Sequence, residues 1–325
     1  MAVYTKVGDS ELAAFVRSYD IGDVQSLEGI AEGVENTNFR LVTSGGTFIL
    51  TLYEKRVDPD HLPFFLGLMR HLAARGVPCP VPVDNRHGQA LGMLCGRPAA
   101  LVTFLQGHWP RQILPVHMEP LGMALATMHR GATDFAMTRP NDLSLQGWHT
   151  LYRACADRAH DIEPGLADEL AAELAVLDDV WPSGLPYGII HADLFPDNVF
   201  FQDGHLSGLI DFYFACNDML AYDIAVCLNA WCFDEMAGFS AERARLFLSG
   251  YHSVRPLQPA ELDSLPLLAR GAALRFLLTR LYDWLYTDPD ALVTRKDPLE
   301  YLRRLRFHRT AAGISAYGLT PGELV

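Results

Sequence analysis

Between residues 188 and 214 the chain reads Gly-Ile-Ile-His191-Ala-Asp193-Leu-Phe-Pro-Asp197-Asn198-Val-Phe-Phe-Gln-Asp203-Gly204-His-Leu-Ser-Gly-Leu-Ile-Asp211-Phe-Tyr-Phe, and this stretch constrains the fold more than any other. Residues 199–202 and 206–210 alternate around Asp203-Gly204, a dipeptide that favours a type I′ turn because both central residues need positive φ. Antiparallel pairing across such a turn sets the start of the first strand beside the end of the second. Asn198 and Asp211 therefore converge, and Asp193 lies in the loop just before the hairpin. Such a convergence offers two oxygen ligands on one side of a Mg²⁺ bound to nucleotide phosphates, with a carboxylate near enough to orient and deprotonate a hydroxyl. An Asp after an apolar strand is on its own usually a cap or turn former. Joined to H-x-D-x-x-x-x-N with a hairpin between, it points to phosphoryl transfer from ATP with Mg²⁺. His191 is expected to be buried and hydrogen-bonded, orienting the loop.

The rest of the chain has room for a cleft around that hairpin. Its 325 residues, half hydrophobic and a fifth charged, suit one large unit or two lobes. The formal net charge is −13, with no Lys/Arg-rich run, which argues against nucleic-acid or membrane-surface partners. A nucleotide can still be held where a divalent cation and a few basic groups screen the carboxylates. The N-terminus lacks the basic and apolar regions of a signal peptide, and no apolar run approaches a membrane span, so a cytoplasmic protein is expected. The six cysteines show neither CxxC nor zinc spacing and read as reduced, buried thiols. Oligomeric state leaves no mark in the sequence.

The first hundred residues mix strand and helix signals. A short helix capped by Asp9 or Ser10 carries Leu12, Phe15, Val16 and Tyr19 on one face and stops near Gly22. A glycine-containing turn at 27–36 separates extended segments, and residues 38–43 and 47–53 flank Gly45-Gly46, a two-residue hairpin signal. A helix over 62–74 closes at Gly76, and the Pro78/Pro80/Pro82 alternation then forces an extended path. A hairpin-like stretch at 85–88 leads into an apolar strand at 99–105. After Gly107 come helices at 115–129, 166–180, 222–233, 241–251, 259–286 (with a possible break) and 298–311, interrupted by the 199–212 hairpin. The predicted class is α+β and bilobal. A small β-rich nucleotide-binding lobe spans 1–105, a hinge lies near 100–107, and a larger helical lobe over 106–325 holds the catalytic loop and substrate site. The cleft between them is the default ligand site.

His191-Ala-Asp193-Leu-Phe-Pro-Asp197-Asn198 resembles the catalytic loop of the aminoglycoside phosphotransferase and choline kinase superfamily, whose fold is protein-kinase-like. Proline at 196 and alanine at 192 favour that superfamily over eukaryotic protein kinases. Gly33-x-Glu35-Asn36 is similar to its nucleotide loop, and Leu121-Gly122-x-x-Leu125-Ala126-x-Met128-His129 to the helix after its hinge. Asp223-Ile224-Ala225 resembles its D-L-A helix start, which makes Asp223 a cap and loop anchor. Longer strings resemble the homoserine kinase family: GVENTNF at 33–39, FILTLYEKR at 48–56, RPNDL at 139–143, IDFYFACNDMLAYDIAVCLNAWCFD at 210–234 and RGAALRFLLTRLYDW at 270–284. The resemblance implies transfer of the ATP γ-phosphoryl to the side-chain hydroxyl of L-homoserine, in threonine biosynthesis. Composition and spacing alone stop at a kinase of a small alcohol. Choline, methylthioribose or an aminoglycoside stay open as acceptors, as does a nucleotide-binding pseudokinase module.

One part of the kinase pattern is missing. Kinases hold the α/β-phosphates with a third-strand lysine paired to a helix glutamate. Here the aligned position is Thr51, and the following helix has Phe64 and Phe65 where the glutamate would be. Loss of both partners predicts a rearranged phosphate grip. Lys55 has the strand parity of Thr51 and reaches the phosphates if the strand extends that far; an exposed strand-end lysine is the equal alternative. Backbone amides around Gly33, Val34 and Asn36 offer another grip, and Thr103, Phe104 and Leu105 are the expected adenine hinge. An acceptor carboxylate calls for an arginine. The candidates are Arg139, Arg275 and Arg280, with Arg275 preferred, and Asp218 or Asp223 would take the ammonium.

Overall fold

The computed structural model describes residues 5–30, 36–54, 58–234, 238–287, 295–320 and 322–323. Gly33, Val34 and Lys55 lie outside these described residues.

Helix α1, Asp9–Val16, buries Leu12, Phe15 and Val16, as the apolar spacing predicts, but it ends at Val16, and Tyr19 joins the same core from the turn beyond it. Its N-cap is Gly8, without a side-chain cap bond. Asp9 and Ser10 thus fall one and two positions inside the helix, where Asp9 complements the dipole instead of capping it. Strands β1 (Val24–Gly29), β2 (Thr37–Thr43) and β3 (Gly46–Leu52) follow, then helix α2 (Leu62–Ala73), then β4 (Leu91–Leu94) and β5 (Arg97–Thr103). They form one antiparallel sheet in the order β1-β2-β3-β5-β4. The β2–β3 loop is Ser44-Gly45, one residue earlier than the glycine pair suggested, because Gly46 already pairs with Thr43. The hairpin into β5 is closed by Cys95-Gly96, both at positive φ. Residues 85–88 form only a turn ahead of β4, and β5 ends at Thr103, not at residue 105.

Strand alternation divides the sheet's side chains between two cores. Leu50, Leu52, Ala99 and Leu101 pack with the α1 residues. Ala100 and Val102 point the other way and join α2 and the helical part. Thr51 shares the parity of Ile49, which packs against that second core.

The helical part runs α3 (Met118–Gly131), α4 (Leu145–Cys155), α5 (Leu166–Val180), β6 (Tyr187–Ile190), β7 (Val199–Gln202), β8 (His205–Leu209), β9 (Cys216–Met219), α6 (Leu220–Trp231), α7 (Ala241–Val254), α8 (Pro259–Tyr286) and α9 (Pro298–Thr310). The whole is the α+β arrangement expected, an antiparallel N-terminal sheet with a larger helical C-terminal part. Helix α4 is absent from the sequence reading because it buries little, chiefly Trp148 and Cys155. The β6–β9 pair, four residues on each strand, is likewise too short to show a period. Helix α8 continues unbroken through Pro266. Among the described residues no helix is long and apolar enough to cross a membrane.

Candidate active site

The hairpin folds as its Asp-Gly turn requires. Asp203 (φ 50°) and Gly204 (φ 81°) join β7 to β8. At the open end, the Ile210 N–H donates to the Asn198 carbonyl at 3.0 Å, which places Asp211 beside Asn198. Asn198 Nδ2 donates to the Asp193 carbonyl at 2.8 Å and lies 3.4 Å from Asp193 Oδ2. Asp193, Asn198 and Asp211 are therefore gathered at one end of the hairpin. Asp211 itself adopts a left-handed conformation (φ 63°, ψ 61°) and is exposed. Burial pushes the half-buried Asp193 carboxyl up to about 6, while Arg275 and Lys296 pull it the other way.

The residue before Asp193 is strained and held from two sides. Ala192 has φ 63°, a left-handed backbone that costs a non-glycine residue about 1 kcal/mol. Asp223, fully buried, accepts the His191 N–H at 2.7 Å and the Ala192 N–H at 2.9 Å. Its Oδ2 also meets His129 Nε2 at 3.0 Å, and His129 Nδ1 meets the Tyr251 hydroxyl at 2.7 Å. Burial opposes ionisation of Asp223, but the hydrogen bond and charge of His129 hold its pKa below the usual carboxylate value. On the opposite side, Arg275 Nη1 donates to the Ala192 carbonyl. The next peptide is fixed too, since the Trp231 indole N–H donates to the Leu194 carbonyl at 2.8 Å. His191 is buried, its Nε2 donates to the Ile210 carbonyl at 2.9 Å, and burial lowers its pKa, so it orients the loop as a neutral ring.

These placements correct two expectations. Asp223 lies in the first turn of α6, whose N-cap is Met219. It anchors the loop at His191 and Ala192 without capping the helix, and its complete burial leaves no face for an acceptor ammonium. Arg275 is 1% exposed, with Phe214 and Phe276 ring centroids 5.7 and 4.5 Å from its guanidinium carbon. A charge so enclosed and already donating to Ala192 supports the loop from behind. Arg139 pairs with Asp142, donates Nε to His61 Nδ1 at 3.2 Å and lies over Phe65. Arg280 pairs with Glu300. Asp218 accepts from Asn141 Nδ2 at 2.7 Å, and burial raises its pKa.

The connector from the sheet lies directly on the hairpin. Phe201 and His108 exchange backbone bonds of 2.9 and 3.1 Å, and Ser207 Oγ donates to the Gln106 carbonyl at 2.8 Å. Two glycines permit this approach: a Cβ on Gly208 would stand 2.6 Å from Leu105 Cδ1, and one on Gly107 would stand 2.8 Å from the Phe201 carbonyl oxygen. Thr103 is tied into the sheet, its N–H donating to the Val81 carbonyl and its Oγ1 accepting from the Val81 N–H, both at 2.9 Å. Phe104 and Leu105 follow it at the end of β5.

Where a kinase has its lysine–glutamate pair, the described residues of this chain form a neutral cluster. Thr51 is 3% exposed and donates Oγ1 to Asn38 Oδ1 at 2.8 Å. The Tyr53 and Tyr213 hydroxyls are 3.0 Å apart, and Tyr213 meets Phe65 of α2 edge-on at 5.7 Å. Burial raises Tyr213 to about 12 and Tyr53 well above its ordinary value, so both hydroxyls stay neutral. Tyr213 is two residues past Asp211, and the cluster thereby fastens β3 and α2 to the segment that carries Asp211. Asn36 Oδ1 accepts from the Glu54 N–H at 3.3 Å. Sequence reasoning missed Tyr53 and Tyr213; their signal was a pair of tyrosines, one just past β3, the strand that carries Thr51, and one following Asp211-Phe212. It also missed the hold on Ala192, for which a string of letters has no signal.

A model of the phosphotransferase enzyme family matches residues 26–257. The homoserine kinase of Rhodospirillum rubrum is 61% identical over 320 residues, covering 98% of this chain and 100% of that protein. That of Sinorhizobium fredii is 58% identical over 323 residues, covering 99% of each. Among solved structures, an amicoumacin kinase superposes with a TM-score of 0.68 at 15% identity, covering 94% of this chain and 95% of that one. A microcompartment-associated aminopropanol kinase gives 0.65 at 18% identity, covering 96% and 99%. These distant likenesses confirm the fold, and the family match and the close relatives together place the protein: the chain belongs to the phosphotransferase enzyme family.

Proposed function

We propose that this chain transfers the γ-phosphoryl of ATP to the side-chain hydroxyl of L-homoserine, giving O-phospho-L-homoserine and ADP, as a cytoplasmic enzyme of threonine biosynthesis. The observation that carries the chemistry is the junction at Asn198, whose side chain binds Asp193 while its carbonyl is bonded to the residue before Asp211. The acceptor is supported by relatives named homoserine kinase that match the chain over nearly its full length.

Asp193 accepts the hydroxyl proton as the acceptor oxygen bonds to the γ-phosphorus and the bond to the β-bridging oxygen breaks, releasing ADP. A carboxyl near 6 is ionised at neutral pH yet basic enough to assist. Asn198 and Asp211 are hard oxygen donors, and two protein oxygens suit Mg²⁺, an ion that completes its shell with phosphates and water. Asn198 and Asp211 would hold Mg²⁺ there, and the ion would supply charge neutralisation for the transferring phosphates. Asp223, Arg275 and Trp231 keep Asp193 in place, and preorganisation of that kind shortens the search for the reactive geometry. Residues 1–105 bind the nucleotide, with adenine at the backbone of Phe104 and Leu105 and the phosphates at amides around Gly33, Val34 and Asn36; β3 ends at Leu52, so the strand extension that would carry Lys55 to the phosphates is not met. The acceptor lies against the helical part, 106–325.

ADP release from the purified protein with Mg-ATP, measured against homoserine, choline, methylthioribose and kanamycin, tests the proposal. Homoserine is expected to give the highest kcat/KM by at least tenfold; preference for another alcohol refutes the acceptor.

A further inference from the structure

Homoserine brings a carboxylate to within three carbons of the hydroxyl that Asp193 must receive, and that charge needs a cation in the site. The cation has to be accessible, near Asp193 and not already neutralised. Most of the basic groups around the catalytic loop fail one of these conditions. Arg275 is buried and donates to Ala192. Arg139 is paired with Asp142, and Arg280 and Arg304 share Glu300. Arg295 is turned to the Trp284 carbonyl at 3.1 Å and lies over that residue's ring, and the basic charges that bear most on Asp193 are those of Arg275 and Lys296 instead.

Lys296 meets all three. It is exposed, just ahead of α9, and it forms no ion pair among the described residues. Its Nζ stands 5.6 Å from the centroid of the Phe195 ring. Phe195 is two residues past Asp193, and its N–H donates to the Asp193 carbonyl at 2.8 Å. Phe195 in turn packs edge-on against Phe276 of α8 at 4.9 Å, so the surface beneath the lysine is fixed. The charge of Lys296 is also felt at Asp193, where it favours the ionised carboxyl. The neighbouring Asp297 is occupied as the cap of α9, accepting the Leu299 N–H at 2.9 Å. We infer that Lys296 is the specificity-determining residue for the acceptor, its ammonium receiving the carboxylate of a hydroxy amino acid whose hydroxyl lies at Asp193 over the Phe195 ring. Carboxylate-free amino alcohols lack this contact, and the site discriminates against them accordingly.

The inference rests on the homoserine reading, and one experiment separates the two. Steady-state kinetics of wild type, Lys296→Ala and Lys296→Arg are measured with L-homoserine and ATP, and 3-aminopropan-1-ol, which is homoserine without its carboxylate, is titrated as a competitor of each. Loss of a charge-assisted bond corresponds to a rise of about 10- to 100-fold in the homoserine KM of Lys296→Ala. The ATP KM and the inhibition constant of 3-aminopropan-1-ol are expected to stay within about twofold, and Lys296→Arg to recover most of the loss. An unchanged homoserine KM overturns the inference, as does an equal weakening of 3-aminopropan-1-ol, which would put the lysine on the transferring phosphoryl or on the fold. Wild-type protein that ignores homoserine overturns the functional reading along with it. Wild-type protein that uses homoserine beside an unaffected Lys296→Ala removes this inference alone.

Discussion

Asp193→Asn separates the cost of the catalytic carboxyl from its use. The substitution keeps size and shape, so the bonds that hold the loop, from Asp223 to the His191 and Ala192 amides and from Arg275 to the Ala192 carbonyl, remain. The proton acceptor is gone, and turnover is expected to fall by about 10²–10⁴-fold. Stability should move the other way. Burial lifts the carboxyl from 3.8 to about 6, which corresponds to at most about 3 kcal/mol of penalty for the ionised group. Water at the half-buried side chain reduces this to about 1–2 kcal/mol. Because the folded value is raised, the stabilising share belongs to the protonated form: it is present below about pH 4 and is lost as pH rises through about 6. At pH 8 the Asn variant is therefore expected to melt about 1.5–3 °C above wild type, and the gap should close towards pH 4. Differential scanning calorimetry at the two pH values, beside an ADP-release assay, reads both effects. A variant that keeps wild-type turnover, or that melts lower than wild type at pH 8, refutes the reasoning.

Three further outcomes follow from the same geometry. Asp211→Ala and Asn198→Ala are expected to weaken Mg²⁺-dependent ATP binding in calorimetric titrations, Asp211→Ala the more because it removes charge; identical Mg²⁺ dependence in wild type and Asp211→Ala speaks against the metal assignment. Arg275→Ala leaves the Ala192 carbonyl without its donor and opens a hole between two rings, so a stability loss of about 2–4 kcal/mol is expected in urea unfolding, with kcat reduced alike for every acceptor. A rise in the homoserine KM alone would return Arg275 to the substrate. The kcat/KM profile should lose activity through a single ionisation near pH 6 as pH falls, since protonated Asp193 cannot accept the hydroxyl proton; full activity at pH 5 contradicts that base.

The parts of the molecule legible in the sequence are those set by local chemistry. Asp203-Gly204 specifies its turn by backbone sterics alone, so the meeting of Asn198 with Asp211 is readable from letters and spacing. Helices α5 and α8 carry enough apolar residues to print their boundaries. What stayed hidden depends on partners distant in sequence. The left-handed Ala192 is stable only because Asp223 and Arg275 reach it from α6 and α8. Arg275 looked like a ligand for an acceptor because a sequence shows a charge and not its burial. The missing lysine and glutamate were visible at Thr51 and Phe65, but their replacement by the Tyr53–Tyr213 contact joins residues far apart in the chain. Cys95-Gly96 outcompeted the turn at 85–88 because β4, though short, completes the edge of the sheet beside β5.

Identification of the product tests the central claim most directly. Purified protein is incubated with Mg-ATP and L-homoserine, and the mixture is followed by phosphorus NMR with proton coupling. The account predicts a phosphate monoester whose phosphorus couples to the side-chain methylene protons, appearing in step with ADP and absent with Asp193→Asn. ADP accumulating with free phosphate in place of the ester, or an ester formed at the same rate by Asp193→Asn, would contradict it.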